Sequence, residues 1–277
     1  GFPHAMLAVT IVSAFLALLY FYKYASDFVD PKKALLITLF FSIFPARWLV
    51  VRSVGSPEPL FVAAIIASLY YFKHKKYWLA AIWGVVAQFT KSPAILLFLS
   101  YGLFLLIPVV KSKFKLVTKI YPLILMPIAL MLIFLLYSVT LGDFLAYFHS
   151  GDNVHLYFPP FQIFNYSAPW VGTFWLEEII YIYLFGLLGI WKLIKNKSIE
   201  EATFVSIFFF FTIFISHRDL ARYSLPIAPF IIAAFCQGFG KKEILAITGA
   251  VCIPIFLFSL AYINQNTMPI SNWLPFL

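Results

Sequence analysis

The chain has 277 residues, 63% of them apolar and 11% charged, with a mean hydropathy of +0.93 and a formal net charge of +9. Soluble globular domains carry roughly 25% charged and about 45–50% apolar residues, so a water-soluble core of this size is excluded. The 33 phenylalanines exclude disorder, and a disulfide scaffold is excluded because Cys236 and Cys252, the only cysteines, both stand inside apolar runs.

A transmembrane helix takes about 20 mostly apolar residues. Apolar runs set off by charged or Pro/Gly-rich breaks divide the chain into ten predicted spans, at 5–22, 34–45, 58–72, 77–90, 93–110, 117–140, 176–195, 202–216, 221–238 and 244–263. Several are shorter than a usual span and must tilt little, stop partway or sit in a thinned bilayer. The chain opens Gly1-Phe2-Pro3-His4, without an initiator Met, a basic leader or an A-x-A cleavage site. It is therefore expected to be an N-terminally truncated piece of a longer polypeptide and not to begin with a signal peptide. Residues 1–277 read as a single integral membrane domain, an all-α polytopic bundle, with 141–175 as its one long non-spanning loop region.

Orientation follows from where the cations fall. Fifteen of the 20 basic residues, all lysines from Lys23 to Lys242, occupy one set of alternate loops and are predicted to be cytoplasmic. Arg47, Arg52, Lys91, Arg218 and Arg222 occupy the other side, which therefore holds every arginine of the chain. The net charge is thus a topological signal and not a nucleic-acid footprint. Lysine is a solvated point charge, sufficient to set topology, whereas arginine presents a rigid fork of donors matched to phosphate or carboxylate. Either these arginines pair with nearby acids and lipid headgroups, or they converge on an anionic ligand at the outer face. Four of four on the disfavoured side favours the second.

The outer side also carries Glu58, Asp143, Asp152, Glu177, Glu178 and Asp219, six of the eleven acids, with His149, His155 and His217. Glu177 and Glu178 open a helix, where acids complement the positive N-terminal dipole. Asp143 either caps a short amphipathic helix on the membrane or faces a ligand. Asp219, between Arg218 and Arg222, is expected to hold Arg222 in place. Glu58 stands at the mouth of a span between Pro57 and Pro59, and an ionisable group at membrane depth is a functional candidate by default. The histidines have no metal-ligand spacing, and no metal or other cofactor is indicated. No Walker loop, dinucleotide fingerprint, GxSxG elbow or HExxH motif is present.

The order of pieces on the outer face resembles the membrane-embedded GT-C glycosyltransferases, in particular the PIG-V-type mannosyltransferases and their prokaryotic relatives. The resemblance rests on Phe44-Pro45, on Ser56-Pro57-Glu58-Pro59-Leu60-Phe61, on Thr90-Lys91-Ser92-Pro93, on Gly142-Asp143-Phe144-Leu145-Ala146-Tyr147, and on Ala221-Arg222-Tyr223-Ser224-Leu225-Pro226 with Pro229. It runs to about residue 238. Lys91 stands where an arginine is usual, Pro59 where a serine is common, and Phe144 in place of a proline. The acidic residue that the family carries in a first outer loop is expected upstream of this chain.

The resemblance implies transfer of a sugar, mannose foremost, from a polyprenyl-phosphate carrier to a glycan, lipid or protein acceptor. The reaction would take place at the outer face of a prokaryotic cell membrane, or at the luminal face of the endoplasmic reticulum in a eukaryote. Arg222, Arg218 and Lys91 would bind the carrier phosphate, with Arg52 and Arg47 in support. Glu58, Asp143 and Asp152 would orient sugar and acceptor, with Glu58 and Asp143 the catalytic candidates. Without the upstream acid the chain alone is expected to bind carrier and scarcely turn over. The rival classes are a secondary transporter or lipid flippase, and a non-catalytic lipid-binding scaffold. A transporter would place ionisable groups near the bilayer midplane and carry paired broken helices.

Overall fold

In the computed structural model every regular element is helical, apart from one isolated bridge between Leu156 and Ile215 among the described residues. The structure describes residues 1–106, 121–149, 156–168, 176–217 and 219–265. The helices are α1 (Phe2–Ala25), α2 (Pro31–Ile43), α3 (Ala46–Val51), α4 (Glu58–Lys73), α5 (Tyr77–Thr90), α6 (Ile95–Leu106), α7 (Leu125–Leu141), α8 (Ala146–His149), α9 (Glu177–Lys195), α10 (Ile199–Thr212), α11 (Leu220–Tyr223), α12 (Ala228–Ala234) and α13 (Lys242–Gln265).

A helix, or a run of short helices, occupies each of the ten apolar stretches. Three are long and apolar enough to cross a membrane: α1, the segment Tyr121–Leu141 that contains α7, and α13. The others fall short for local reasons. The 14 residues of α10 span about 21 Å, against a hydrocarbon core of about 30 Å. In α9, Glu177, Glu178, Lys192 and Lys195 charge both ends. Pro226 and Pro229 divide the 221–238 stretch into α11, a 3-10 turn and α12, because proline has no N–H to continue the ladder.

Successive long helices run up and down, so their ends gather at two poles. At one pole meet the C-termini of α1, α4 and α9 and the N-termini of α2, α5 and α10. Lys73 bridges Asp27 and Glu201 there, at 3.7 Å each, and His74 Nε2 lies 3.5 Å from Asp27. The Asn196 side chain donates to the Ala234 carbonyl at 2.9 Å, tying the α9–α10 turn to the end of α12. This lysine-rich pole contrasts with the other, where α3, the start of α4, the end of α5, α11 and the end of α13 meet and where Arg47, Arg52, Lys91 and Arg222 lie.

Between the poles α4 is buried nearly all round, with Ala63, Ala64 and Ala67 letting α1 and α5 approach closely. Trp48 stacks on Phe41 at 5.1 Å and 14°, which fixes α3 on α2. Close approach elsewhere needs glycine: a Cβ at Gly186 would lie 2.6 Å from the Phe209 ring and one at Gly189 2.6 Å from Ile231. Small residues at such contacts are how helices pack where lipid removes the hydrophobic drive between them. The outside is apolar. Only 17% of the apolar window of Tyr121–Leu141 and 11% of that of α13 is buried, a continuous exposed surface that water-soluble monomers avoid and that is consistent with membrane association.

Candidate anion-binding site at the arginine pole

Two ion clusters form this pole, and each is assembled from segments remote in sequence. The first centres on Glu58, the first residue of α4. Pro59 sets the backbone angle for the first turn, and the helix N-terminus favours a carboxylate there. Ser56 Oγ donates to Glu58 Oε2. Lys91 Nζ, 33 residues away, and Arg222 Nε, 164 residues away, both donate to Oε1, the latter at 2.6 Å. Lys91 is presented by the extended backbone that ends α5, ahead of the Ser92–Ala94 turn that Pro93 opens. Burial pushes the Lys91 ammonium below its usual pKa, partly offset by the Glu58 carboxylate. Glu58 is 2% exposed.

The second cluster centres on Arg47 of the short α3. Its Nη2 pairs with Asp219 Oδ2, and the Tyr262 ring of α13 lies over the guanidinium at 4.0 Å. The Asp219 backbone N–H donates to His217 Nδ1 at 2.9 Å, and the His217 ring meets the Tyr223 ring edge-on at 5.1 Å. Arg47 is 8% exposed, yet its Nε and Nη1 have no hydrogen-bond partner among the described residues. Leaving a buried donor unsatisfied costs about 1–3 kcal/mol, and more where the group is charged, so this arrangement holds unused capacity for an oxyanion.

The whole assembly is recessed. Thr10 Oγ1 donates to the Ser56 carbonyl at 3.1 Å and accepts from the Ser56 N–H at 3.0 Å. Thr10 sits eight residues inside α1, about 12 Å from the helix start. A cavity of about 820 Å³ opens beside the clusters. Its polar wall includes Arg47, Glu178, His217, Asp219, Arg222 and Tyr262, and its apolar wall includes Ile182 and Phe185 of α9, Ile231 and Ile232 of α12 and Phe258 of α13. Glu58 and Lys91 stand behind Arg222 and not in the lining. A charged mouth continuous with an apolar slot between helices suits an amphiphile with an anionic head.

Of the residues singled out from sequence, the structure brings Glu58, Lys91 and Arg222 into one cluster and places Arg47 and Arg222 on one cavity. Asp143 stays within its own turn: its carboxylate accepts the Leu145 N–H at 2.9 Å and lies 2.6 Å from His149 Nδ1. The His149 hydrogen bond holds the Asp143 carboxyl below the usual range. Tyr147 of the same turn is within electrostatic reach of Tyr223. Arg52 ends α3 outside the cavity lining, with its Nε buried and unpartnered among the described residues. Asp152 and Arg218 lie outside the described residues.

Two expectations change. Asp219 grips Arg47 and not its chain neighbour Arg222, because Glu58 already holds the Arg222 fork. Glu178 is more than a dipole complement, since it lies in the cavity wall beside Arg47. Its spacing carried the signal: Glu178, Tyr181, Ile182 and Phe185 share one helical face, and all four line the cavity. Tyr262 gave no signal in sequence, because an aromatic in an apolar span is unremarked until its neighbour is known. Among the described residues no group of three or more His, Cys, Asp or Glu side chains is arranged to hold a metal ion.

Comparison with known proteins returns nothing similar: no family model, no curated protein and no solved structure matches this chain.

Proposed function

We propose that the chain is a multi-pass membrane glycosyltransferase of the GT-C type, taking a sugar, mannose foremost, from a polyprenyl-phosphate carrier to an acceptor at its arginine pole, on the outer or luminal side. The observation that carries this reading is Arg47, a buried guanidinium in the wall of an amphiphilic cavity with two nitrogens unpartnered among the described residues. The carrier phosphate would take those donors and the Arg222 guanidinium, and its lipid chain would lie along the apolar wall between α9, α12 and α13. As the glycosidic bond breaks, charge develops on the phosphate oxygen, and donors already aimed at that position stabilise it without reorganising. Glu58 and Lys91 act through Arg222, Glu58 as the anchor that fixes its fork. Asp219 does the same for Arg47.

The test uses the full chain in proteoliposomes with dolichyl-phosphate mannose and undecaprenyl-phosphate mannose, following loss of sugar from the carrier. Loss of one charge-assisted hydrogen bond is worth about 1.5–3 kcal/mol, so Arg47→Met is expected to slow turnover roughly 10- to 100-fold. Arg222→Lys keeps the charge, loses the fork and is expected to weaken turnover less. Wild-type chain that neither binds nor consumes either carrier, or an Arg47→Met variant that binds and consumes them as wild type does, overturns the reading.

A further inference from the structure

The two poles are not equally far apart on every side of the molecule. In α9 the ionisable groups Glu178 and Lys192 stand 14 residues apart, about 21 Å along a helix. Glu58 and Lys73 of α4 are 15 residues apart, as are Lys76 and Lys91 at the two ends of α5, which makes about 22 Å in each case. The α1 helix differs. Its stretch Phe2–Tyr22 holds no Asp, Glu, Lys or Arg, and those 20 steps cover about 30 Å, the full hydrocarbon core of a bilayer. The excess lies at one end. At the lysine pole α1 is level with α4, because Asp27, just beyond α1, meets Lys73 at 3.7 Å. At the arginine pole Thr10 of α1 is level with Ser56, so Phe2–Val9 stand about 12 Å beyond the Glu58 cluster. Phe2, Met6 and Val9 in that overhang are apolar and exposed.

We propose that the bilayer is thinned where it meets α9, by about 9 Å and in its outer leaflet, so that lipid headgroups dip to the level of the arginine pole. This rests on the multi-pass part of the reading above and on none of its transfer chemistry. The α9 helix packs on α10 and α12 and leaves Ile180, Leu184, Leu187 and Ile194 exposed. Lipid is the partner that fits this face, because exposed aromatic residues mark both of its ends. Tyr181 follows Glu178 by three residues and Trp191 precedes Lys192, and such rings settle at membrane–water interfaces. A span shorter than the bilayer is accommodated by thinning, by snorkelling or by oligomerising. Snorkelling serves the lysine end, where Lys192 and Lys195 have long stems. It does not serve Glu178, a short side chain held in the cavity wall. The shortfall therefore falls on the outer side, where α1 overshoots. On its own flank α1 packs on α4 and α2 and matches a full bilayer, so the depression is local. It also has a use. In a flat bilayer fitted to α1, Arg47 and Arg222 would lie about 9 Å beneath the headgroups. With the leaflet depressed, an anionic lipid head meets them without leaving the interface.

Spin-label depth measurements on the full chain in dioleoyl phosphatidylcholine bilayers test this. With Cys236 and Cys252 changed to Ala, single nitroxides are placed on α9 through Ile180→Cys, Leu187→Cys and Ile194→Cys, and on α1 through Phe2→Cys and Val12→Cys. All five positions are exposed. Collisions with oxygen and with a water-soluble nickel chelate then give the depth of each label. Leu187, midway along the α9 face, is expected about 10 Å below the headgroups, with Ile180 and Ile194 interfacial. Val12, midway along α1, is expected at about 15 Å, with Phe2 interfacial. Leu188→Cys and Phe15→Cys repeat the two central readings should either label disturb the helix content seen by circular dichroism. A label at Leu187 as deep as one at Val12 overturns the inference and leaves the multi-pass reading standing. So does a label at Phe2 in bulk water, which would put the outer surface level with the arginine pole on every side. Shielding of Leu187 from both reagents overturns it too, because a protein surface would then cover α9. If every α9 label is open to the chelate, α9 does not span, and the multi-pass reading fails with the inference.

Discussion

Replacing Glu58 by Gln removes one negative charge from between two cations and keeps the shape of the side chain. Glu58 is 2% exposed, whereas the side chains of Lys91 and Arg222 keep 22% and 33% exposure. Removing one partner of a buried ion pair costs about 3–5 kcal/mol, because the remaining charge is left uncompensated. Here water still reaches part of both cations, so the lower end applies, and the expected loss is about 3 kcal/mol. The cycle with Lys91→Met sharpens the test. With one cation gone the surplus charge is relieved, and the double variant is expected to recover at least about 1 kcal/mol relative to the sum of the singles. Unfolding by SDS titration in mixed micelles, followed by far-UV circular dichroism, reads both quantities. A Glu58→Gln variant within about 0.5 kcal/mol of wild type, with Lys91→Met strictly additive, would show that the two cations do not share the Glu58 carboxylate and would refute the anchoring role given to Glu58.

Two further predictions concern how the helices reach this geometry. Gly186→Leu drives a side chain into the Phe209 ring, which already lies 2.6 Å from an added Cβ, and is expected to cost about 1–3 kcal/mol; thermal unfolding in detergent measures it, with Gly102→Ala, where nothing lies within 4 Å of an added Cβ, as the variant expected to be neutral or stabilising. Gly142 closes α7 at φ +70°, a left-handed conformation that costs other residues about 1–2 kcal/mol, so Gly142→Ala is expected to lower the unfolding midpoint without altering helix content by circular dichroism.

The separation of lysine from arginine was legible in sequence because it depends only on which loops alternate, and alternation follows from hydropathy. The same bookkeeping located every apolar stretch, yet not the length of its helix: Pro226 and Pro229 sit inside a run that looks continuous by hydropathy but cannot continue a ladder of N–H donors. Pairing was hidden. Arg222 is three residues from Asp219 and 164 from Glu58, and it bonds the latter, since α4 and α11 meet at one pole while the Asp219 carboxylate turns to Arg47. The place of Glu178 in the cavity wall was hidden for a related reason. An acid in the first turn of a helix is accounted for by the dipole alone, and only the face it shares with Tyr181, Ile182 and Phe185 says that it also looks into a cavity.

Phosphate-dependent lipid binding tests the central claim most directly. Native mass spectrometry of the full chain released from nanodiscs, with polyprenyl phosphate and the matched polyprenol in competition, separates the head from the tail. Selective retention of the phosphate by wild type, lost in Arg47→Met while the polyprenol binds both proteins alike, is the result expected of a cavity whose unpartnered guanidinium donors take an oxyanion. Equal retention of phosphate and alcohol by wild type, or unchanged phosphate selectivity in Arg47→Met, would contradict it.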